Sequence, residues 1–323
     1  MSLADQNYLD CAKQLFSGIY HNSGWDGDYM LLAHQVSKKD IDWFRSRGIL
    51  VKECEPIYYH LVGKEKYPPL VFDVFYLFTE EFKKWENIVF LDADIIVRSS
   101  LKRLTKIKGF ASPHVIDDKL KYYFYNDINK SQHNELKSIY NLEKPAFNCG
   151  VMAFSTDIIK ANMLFELKQL YEQFQQISSG LDPTLNLYFY NNWKRLPIAY
   201  DVTPEKIEKL TGKNKDKIEG IIVHLKDSEL SYEDSNLSKE WHANLDKAEL
   251  INVSKPFPAK EWSRLKTNVF SFKIYFSFFF KKTLKQLYVV LKVFAEFLEC
   301  CVGKVGELVK RINKNLYNKL KNA

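Results

Sequence analysis

The chain has 323 residues, 46% of them hydrophobic and 15% aromatic, with a formal net charge of +7. That is enough apolar material for one sizeable core or two modest domains, and it excludes a disordered chain. The charge is lopsided: residues 264–323 carry 13 Lys/Arg against 3 Asp/Glu, a net of +10 that leaves −3 for the first 263, which argues against a general nucleic-acid binder and for a specialised tail.

In chain order, "DYMLLAHQV" (28–36) predicts a buried strand and "KKDIDWFRSRG" (38–48) a short helix ended by Gly48. "ILVKECEP" (49–56) predicts a strand stopped by Pro56. "LVFDVFYLFTEEFKKW" (70–85) predicts a helix, from the spacing of Phe72, Phe75, Tyr76 and Phe82. "NIVFLDADIIV" (87–97) and "FNCGVMAFS" (147–155) predict strands. "TDIIKANMLFELKQLYEQFQ" (156–175) predicts a helix capped by Thr156 or Asp157, and "DPTLNLYFYNNW" (182–193) another, before a last strand in "GIIVHLK". Such alternation predicts a mainly parallel sheet covered by helices. Cys11, Cys54, Cys149, Cys300 and Cys301 form neither a disulfide framework nor a zinc pattern, so reduced thiols in a cytosolic protein are expected. The start "MSLADQNYLD" lacks the layout of a signal peptide, and no apolar run approaches the ~18 residues of a membrane span.

Chemistry concentrates at Asp92 and Asp94, one alanine apart at the end of the apolar run Ile88-Val89-Phe90-Leu91. A strand buried on both faces ends there, and ligands of open α/β sheets bind beyond the carboxyl ends of strands. Two hard oxygen donors on one short segment can hold a divalent cation, and the cation a diphosphate. The plain structural alternative is a strand-end turn with two solvated carboxylates.

"VFLDADIIV" resembles the Asp-X-Asp strand of family 8 glycosyltransferases, the retaining nucleotide-sugar enzymes that include glycogenin and bacterial lipopolysaccharide hexosyltransferases. Four further segments resemble that family in the same order: "LADQNYLDCAKQLFSGI", "FNCGVMAFS", "LDPTLNLYFYNNWKRLPIAYDV" and "IIVHLK", together spanning residues 3 to about 245. The resemblance implies the GT-A fold, an α/β architecture with a Rossmann-like, mixed, mostly parallel sheet and helices on both faces. It implies a catalytic domain over 1–261, and the charge and apolar spacing of 262–323 add a C-terminal basic amphipathic helical tail. It also implies hexose transfer from a UDP-sugar, UDP-glucose or UDP-galactose, to a lipid-linked or surface glycan.

Carried over residue by residue, the resemblance implies that Leu3 and Ala4 offer backbone to the base. Asp5 and Asn7 would bond the uracil or ribose, and Tyr8 would stack on the base. Without it, "DQNY" reads as a polar turn capping a helix. Asp92, Asp94 and His224 would bind Mn²⁺, or Mg²⁺ less well, with Asp92 and Ala93 also near the nucleotide. Gly150 would let the sugar approach the backbone, Asn148 would place an amide near the hexose or acceptor, and Cys149 would be inert filler. His114 and Asp117 would lie in the region lining the acceptor cleft.

Three departures from the family pattern stand out. Leu181-Asp182 replaces an Asp-Gln pair. Asp182 then reads either as a carboxylate beside the anomeric carbon or as the N-cap of the helix from Pro183. Asp73 lies where the family often has a base. After His224, "LKDSELSYE" replaces Gly-X-X-Lys-Pro-Trp, leaving Lys226 as the substitute diphosphate contact. These departures support the alternative of a catalytically inactive binding or scaffold protein. A nucleotidyltransferase, a third reading, lacks its Gly-rich phosphate loop.

In the tail, "NVFSFKIYFSFFFKK" (268–282) is dense in phenylalanine and then basic. Apolar residues recur from Leu284 through Leu287, Leu291, Phe294 and Leu298 to Ile312 at three- and four-residue spacing. Such a helix can lie on an anionic membrane surface, pair in a homodimer, or pack on the catalytic domain. The first places the protein in the cytoplasm, peripheral to the inner face of the cell membrane.

Overall fold

The computed structural model describes residues 1–61, 67–114, 116–178, 180–225, 235–255, 257–287, 290, 292–293 and 311. The chain divides into two compact units, Met1–Phe272 and Lys273–Ala323.

In the first unit the strands are β1 (Ser2–Asp5), β2 (Met30–His34), β3 (Leu50–Cys54), β4 (Asn87–Leu91), β5 (Ile95–Val97), β6 (Phe110–Pro113), β7 (Val151–Ser155), β8 (Trp193–Leu196) and β9 (Ile222–His224). The α-helices are α1 (Leu9–Asn22), α2 (Lys38–Arg45), α3 (Lys130–Ile139), α4 (Met163–Phe174), α5 (Leu181–Tyr188), α6 (Pro204–Thr211) and α7 (Asn236–Asp246). β1, β2 and β3 are parallel neighbours, joined to β4 where Leu91 N–H donates to Met1 O. β7 runs antiparallel between β4 and β6, and β8 returns parallel to β6. A separate antiparallel pair, β5 with β9, crosses beyond the end of β4. This is the mixed α/β GT-A arrangement.

The strands are short and apolar because both faces are covered. Alternate residues feed two cores. Val89, Leu91, Val151 and Ala153 pack with α1 residues Leu15, Phe16 and Ile19, while Ile88, Phe90, Met152 and Phe154 pack with Phe72, Phe75, Phe78 and Leu167.

Three predicted helices differ; the one expected over 182–193 ends at Tyr188, and Trp193 already opens β8. Residues 70–85 form 3-10 turns, Pro69–Phe78 and Glu80–Lys84, separated by extended Thr79. Phe72, Phe75, Phe78 and Phe82 are all buried there, at spacings a tighter helix serves equally well. The helix expected from Thr156 begins instead at Met163, after a 3-10 turn over Thr156–Ile158. Thr156 Oγ1 donates to Trp85 O (2.5 Å), so the proposed cap is spent tying β7 to the preceding loop.

Residues 264–287 are helical. Leu265, Val269, Phe272, Phe276, Phe279, Phe280, Leu284 and Leu287 are exposed along it, whereas Thr267, Ile274 and Phe278 are buried. No described helix is long and apolar enough to cross a membrane. Most of the predicted stripe beyond Leu287 lies outside the described residues.

Candidate metal centre and cleft

The Asp-Ala-Asp segment turns between β4 and β5. Asp92 N–H donates to Gly150 O (2.8 Å), which ties the turn to the start of β7. From α1 the fully buried Gln14 amide donates to Ile95 O (2.7 Å) and, more weakly, Ala93 O (3.3 Å), fixing the far side. Antiparallel pairing sets Ile95 opposite His224, and Leu225 N–H donates to Asp94 O (3.0 Å). Register therefore delivers an imidazole from the end of the fold to two carboxylates near its middle.

The resulting geometry is compact. His224 Nε2 lies 3.2 Å from Asp94 Oδ1 and 3.8 Å from Asp92 Oδ2, and one ligand atom from each residue falls within 4.8 Å of the others. Donors on adjacent corners of a six-coordinate cation with bonds of about 2.1 Å sit ~3 Å apart, so this set fits a small divalent ion. Two carboxylate oxygens and an imidazole suit Mn²⁺ or Mg²⁺ better than a thiophilic metal.

Asp201 completes the arrangement. Its buried carboxylate lies 3.0 Å from His224 Nδ1, which directs Nε2 to Asp92 and Asp94. Partners of this kind fix the ring's tautomer and orientation. Asp201 Oδ2 is buried without a partner among the described residues. The sequence reading missed Asp201; its one signal was an aspartate in "AYDV" where the family pattern has asparagine. Gln14 was missed too, as a lone amide on an apolar helix.

Charge crowding shows in the titration of these groups. Desolvation pushes the Asp92 carboxyl up to about 7, opposed by His224 and reinforced by Asp94, Asp182 and Asp201, although 44% of its side chain stays exposed to the cleft. Burial pulls the His224 pKa down, but Asp94 and Asp201 outweigh it and hold it well above 6.5. A cation would relieve the repulsion among the carboxylates.

Residues 147–150 form the adjoining wall. Gly150 has no room for a side chain: a Cβ there would lie 2.4 Å from His224 Cε1 and 2.8 Å from both Asp92 Oδ2 and Asn148 Oδ1. Asn148 Oδ1 accepts from Gly150 N–H (2.8 Å). One turn of α5 clamps the rest. Asp182 Oδ1 accepts from Cys149 N–H (2.6 Å), while Asn186 accepts from Phe147 N–H (3.0 Å) and donates to Phe147 O (2.8 Å). Asp182 is thus not the N-cap of α5, a place held by Gly180 at φ +73°. Burial raises its pKa, offset by Cys149 and His224. Burial also holds the Cys149 thiol well above its ordinary pKa, as inert filler requires. Leu181 packs on the second core.

On the neighbouring strand β1, Asp5 Oδ1 accepts from Asn7 N–H (2.9 Å) and Tyr8 N–H (3.1 Å), capping the turn before α1. Ala4 is buried in the first core and Leu3 and Tyr8 are partly buried. Asp5 and Asn7 still border an open cavity of about 350 Å³. His114 is spent structurally, Nδ1 donating to Ala146 O (2.7 Å). Asp117 takes the left-handed conformation (φ +66°) in a turn. Asp73 faces His34 instead of the Asp92 cluster. Lys226 lies outside the described residues.

A GT-A sheet whose central strand ends in a carboxylate pair met by a late histidine defines a glycosyltransferase. The family model of glycosyl transferase family 8 matches residues 1–226, and the chain belongs to that family. No curated protein matches it. Its fold is similar to that of the galactosyltransferase LgtC, solved with donor and acceptor sugar analogues (11% identity, 76% of this chain and 94% of that one, TM-score 0.58). It is also similar to the glycosyltransferase GlyE of Streptococcus pneumoniae TIGR4 (14%, 81% and 66%, TM-score 0.54) and to the bifunctional WbbM (14%, 76% and 48%, TM-score 0.52).

Proposed function

We propose that this glycosyltransferase is a retaining, metal-dependent hexosyltransferase. It moves glucose or galactose from a UDP-sugar to a lipid-linked or surface glycan. The observation that carries the reading is the Asp92–Asp94–His224 cluster, oriented from behind by Asp201. A bound Mn²⁺ or Mg²⁺ would supply Lewis-acid neutralisation of the departing diphosphate.

The chain's own residues position the partners. Asp5, Asn7 and Tyr8, with the backbone of Leu3 and Ala4, hold the nucleoside. Asp92 and Ala93 border it, and Gly150 keeps the wall low enough for the hexose. Asn148 braces that wall. Asp182, immobilised by Cys149 N–H, provides negative charge beside an electron-poor anomeric carbon. Lys226 would add a diphosphate contact.

Turnover of a UDP-sugar panel with and without Mn²⁺ tests this. Asp94→Asn should lower metal-dependent turnover about 10³-fold, roughly 4 kcal/mol of transition-state stabilisation, with the circular dichroism spectrum unchanged. No donor turnover with any sugar would favour the inactive scaffold. Asp182→Asn retaining full turnover would remove that residue from the chemistry.

The exposed apolar stripe on residues 264–287, with Lys281, Lys282 and Lys285 beside it, supports docking on the cytoplasmic face of an anionic membrane. In the full chain, Phe276→Glu with Phe280→Glu should abolish sedimentation with phosphatidylglycerol vesicles. A dimer that becomes a monomer, with vesicle binding intact, would show instead that the stripe pairs two copies.

A further inference from the structure

Asp73 and His34 form a second buried acid–imidazole pair that the metal chemistry does not use. Asp73 is fully buried. Its Oδ2 lies 2.6 Å from His34 Nδ1, and its Oδ1 accepts from Ile57 N–H (3.0 Å). Both carboxylate oxygens are therefore engaged and the ring is locked. A buried carboxylate is costly without such partners, so its position is specified.

The ring is aimed by the sheet. β1 and β2 are parallel and in register with Asp5 beside His34, so both stand at the carboxyl ends of adjacent strands. That edge borders the cavity of about 350 Å³, whose wall also includes Asn7, Tyr58, Tyr59 and Pro69. The volume is at the lower end for small-molecule sites and admits a planar heterocycle with part of its sugar. In the neutral ring, with Nδ1–H donated to Asp73, Nε2 carries the lone pair. It has no protein partner among the described residues.

We propose that His34 selects the base of the donor nucleotide: Nε2 accepts the N3–H of uracil in this cavity, with Asp73 as the positioning residue behind it. The proposal rests on the reading above that the donor carries a uridine diphosphate. Cytosine offers a lone pair at N3, so the same imidazole faces it acceptor to acceptor. A site built on one hydrogen bond rejects the analogue that cannot make it, because the buried partner is left unpaired.

Isothermal titration of the full chain with UDP and CDP in Mn²⁺ tests it. The wild type should bind UDP at least tenfold more tightly than CDP. His34→Ala should lower UDP affinity about tenfold and bring the ratio near one, with affinity for Mn²⁺ alone unchanged. His34→Gln, which retains an acceptor, should restore part of the preference. In ¹⁵N-histidine spectra of the wild type without metal, the His34 Nε2 resonance should be that of an unprotonated nitrogen and should move on adding UMP. An unaltered UDP/CDP ratio in His34→Ala, or an Nε2 signal indifferent to UMP, overturns the assignment while leaving the uridine donor intact. A wild type that binds neither nucleotide removes both.

Discussion

Phenylalanine has opposite fates in the two parts of this chain. In the catalytic body, Phe72, Phe75, Phe78, Phe82, Phe90, Phe110, Phe147 and Phe154 are buried to 1% exposure or less. Along the helix at 264–287, Phe272, Phe276, Phe279 and Phe280 are each more than half exposed. Phe110 stacks on Phe189 at a centroid distance of 4.0 Å inside the sheet–helix core. An apolar stripe that water reaches along several helical turns is what interaction surfaces look like, whereas a folded core leaves no such stripe. The body buries its phenylalanines in its own packing, whereas these four on the helix are exposed among the described residues.

The largest effect that would sharpen this contrast is a matched pair of truncations. Phe154→Ala should cost about 3–5 kcal/mol of stability in urea unfolding, as for other buried aromatic deletions. Phe276→Ala should change it by no more than ~0.5 kcal/mol. Equal losses would erase the distinction and place Phe276 in a core.

Within the body, the metal corner should be as intolerant of added volume as the core is of lost volume. Gly150→Ala sets a Cβ against His224 and Asp92 and should weaken Mn²⁺ binding by about two orders of magnitude. Titration of the purified chain with Mn²⁺, followed by electron paramagnetic resonance, reads this directly. Asp201→Asn should have a smaller effect, about 10–100-fold in metal affinity, in the same measurement. If Asp201→Asn binds Mn²⁺ as tightly as the wild type, the carboxylate behind His224 is merely structural.

The smallest effect is a pH dependence. Asp92 has a folded pKa of about 7 against an ordinary 3.8, so between those values the folded state binds the extra proton and stability falls as pH rises. The raised His224 pKa acts in the same direction, its contribution being complete below 6.5 and lost as pH climbs through its folded value. The metal-free protein should therefore melt at a slightly higher temperature near pH 5 than near pH 8. Added Mn²⁺ should raise the melting temperature more at pH 8, where fewer protons compete with the metal for its ligands. A metal-free melting temperature that rises from pH 5 to 8 would mean that the cluster is more solvated than its geometry indicates.

Much of the candidate site was legible in one dimension because its chemistry is local. Asp92, Ala93 and Asp94 follow an apolar strand within eight residues, and strand-end carboxylates have few purely structural reasons to occur in pairs. Gly150 and Asn148 lie on one short segment. Harder to see was anything defined by what it opposes. Asp182 had two sequence readings, helix cap or catalytic carboxylate, and a backbone N–H from Cys149 now occupies one of its oxygens. Residues 70–85 had a helical spacing, yet aromatic packing draws them into 3-10 turns.

By itself, then, the order of residues determined the alternation of strands and helices, the family, the carboxylate pair and the basic, phenylalanine-rich end. Those are properties of neighbours along the chain: hydrophobic period, side-chain chemistry and charge. Tertiary structure alone decided that His224 meets Asp94 through the β5–β9 register, that Asp201 stands behind it, and that Asp73 turns to His34. Each joins residues more than 20 positions apart, and such contacts are set by strand register and core packing, which no local pattern encodes.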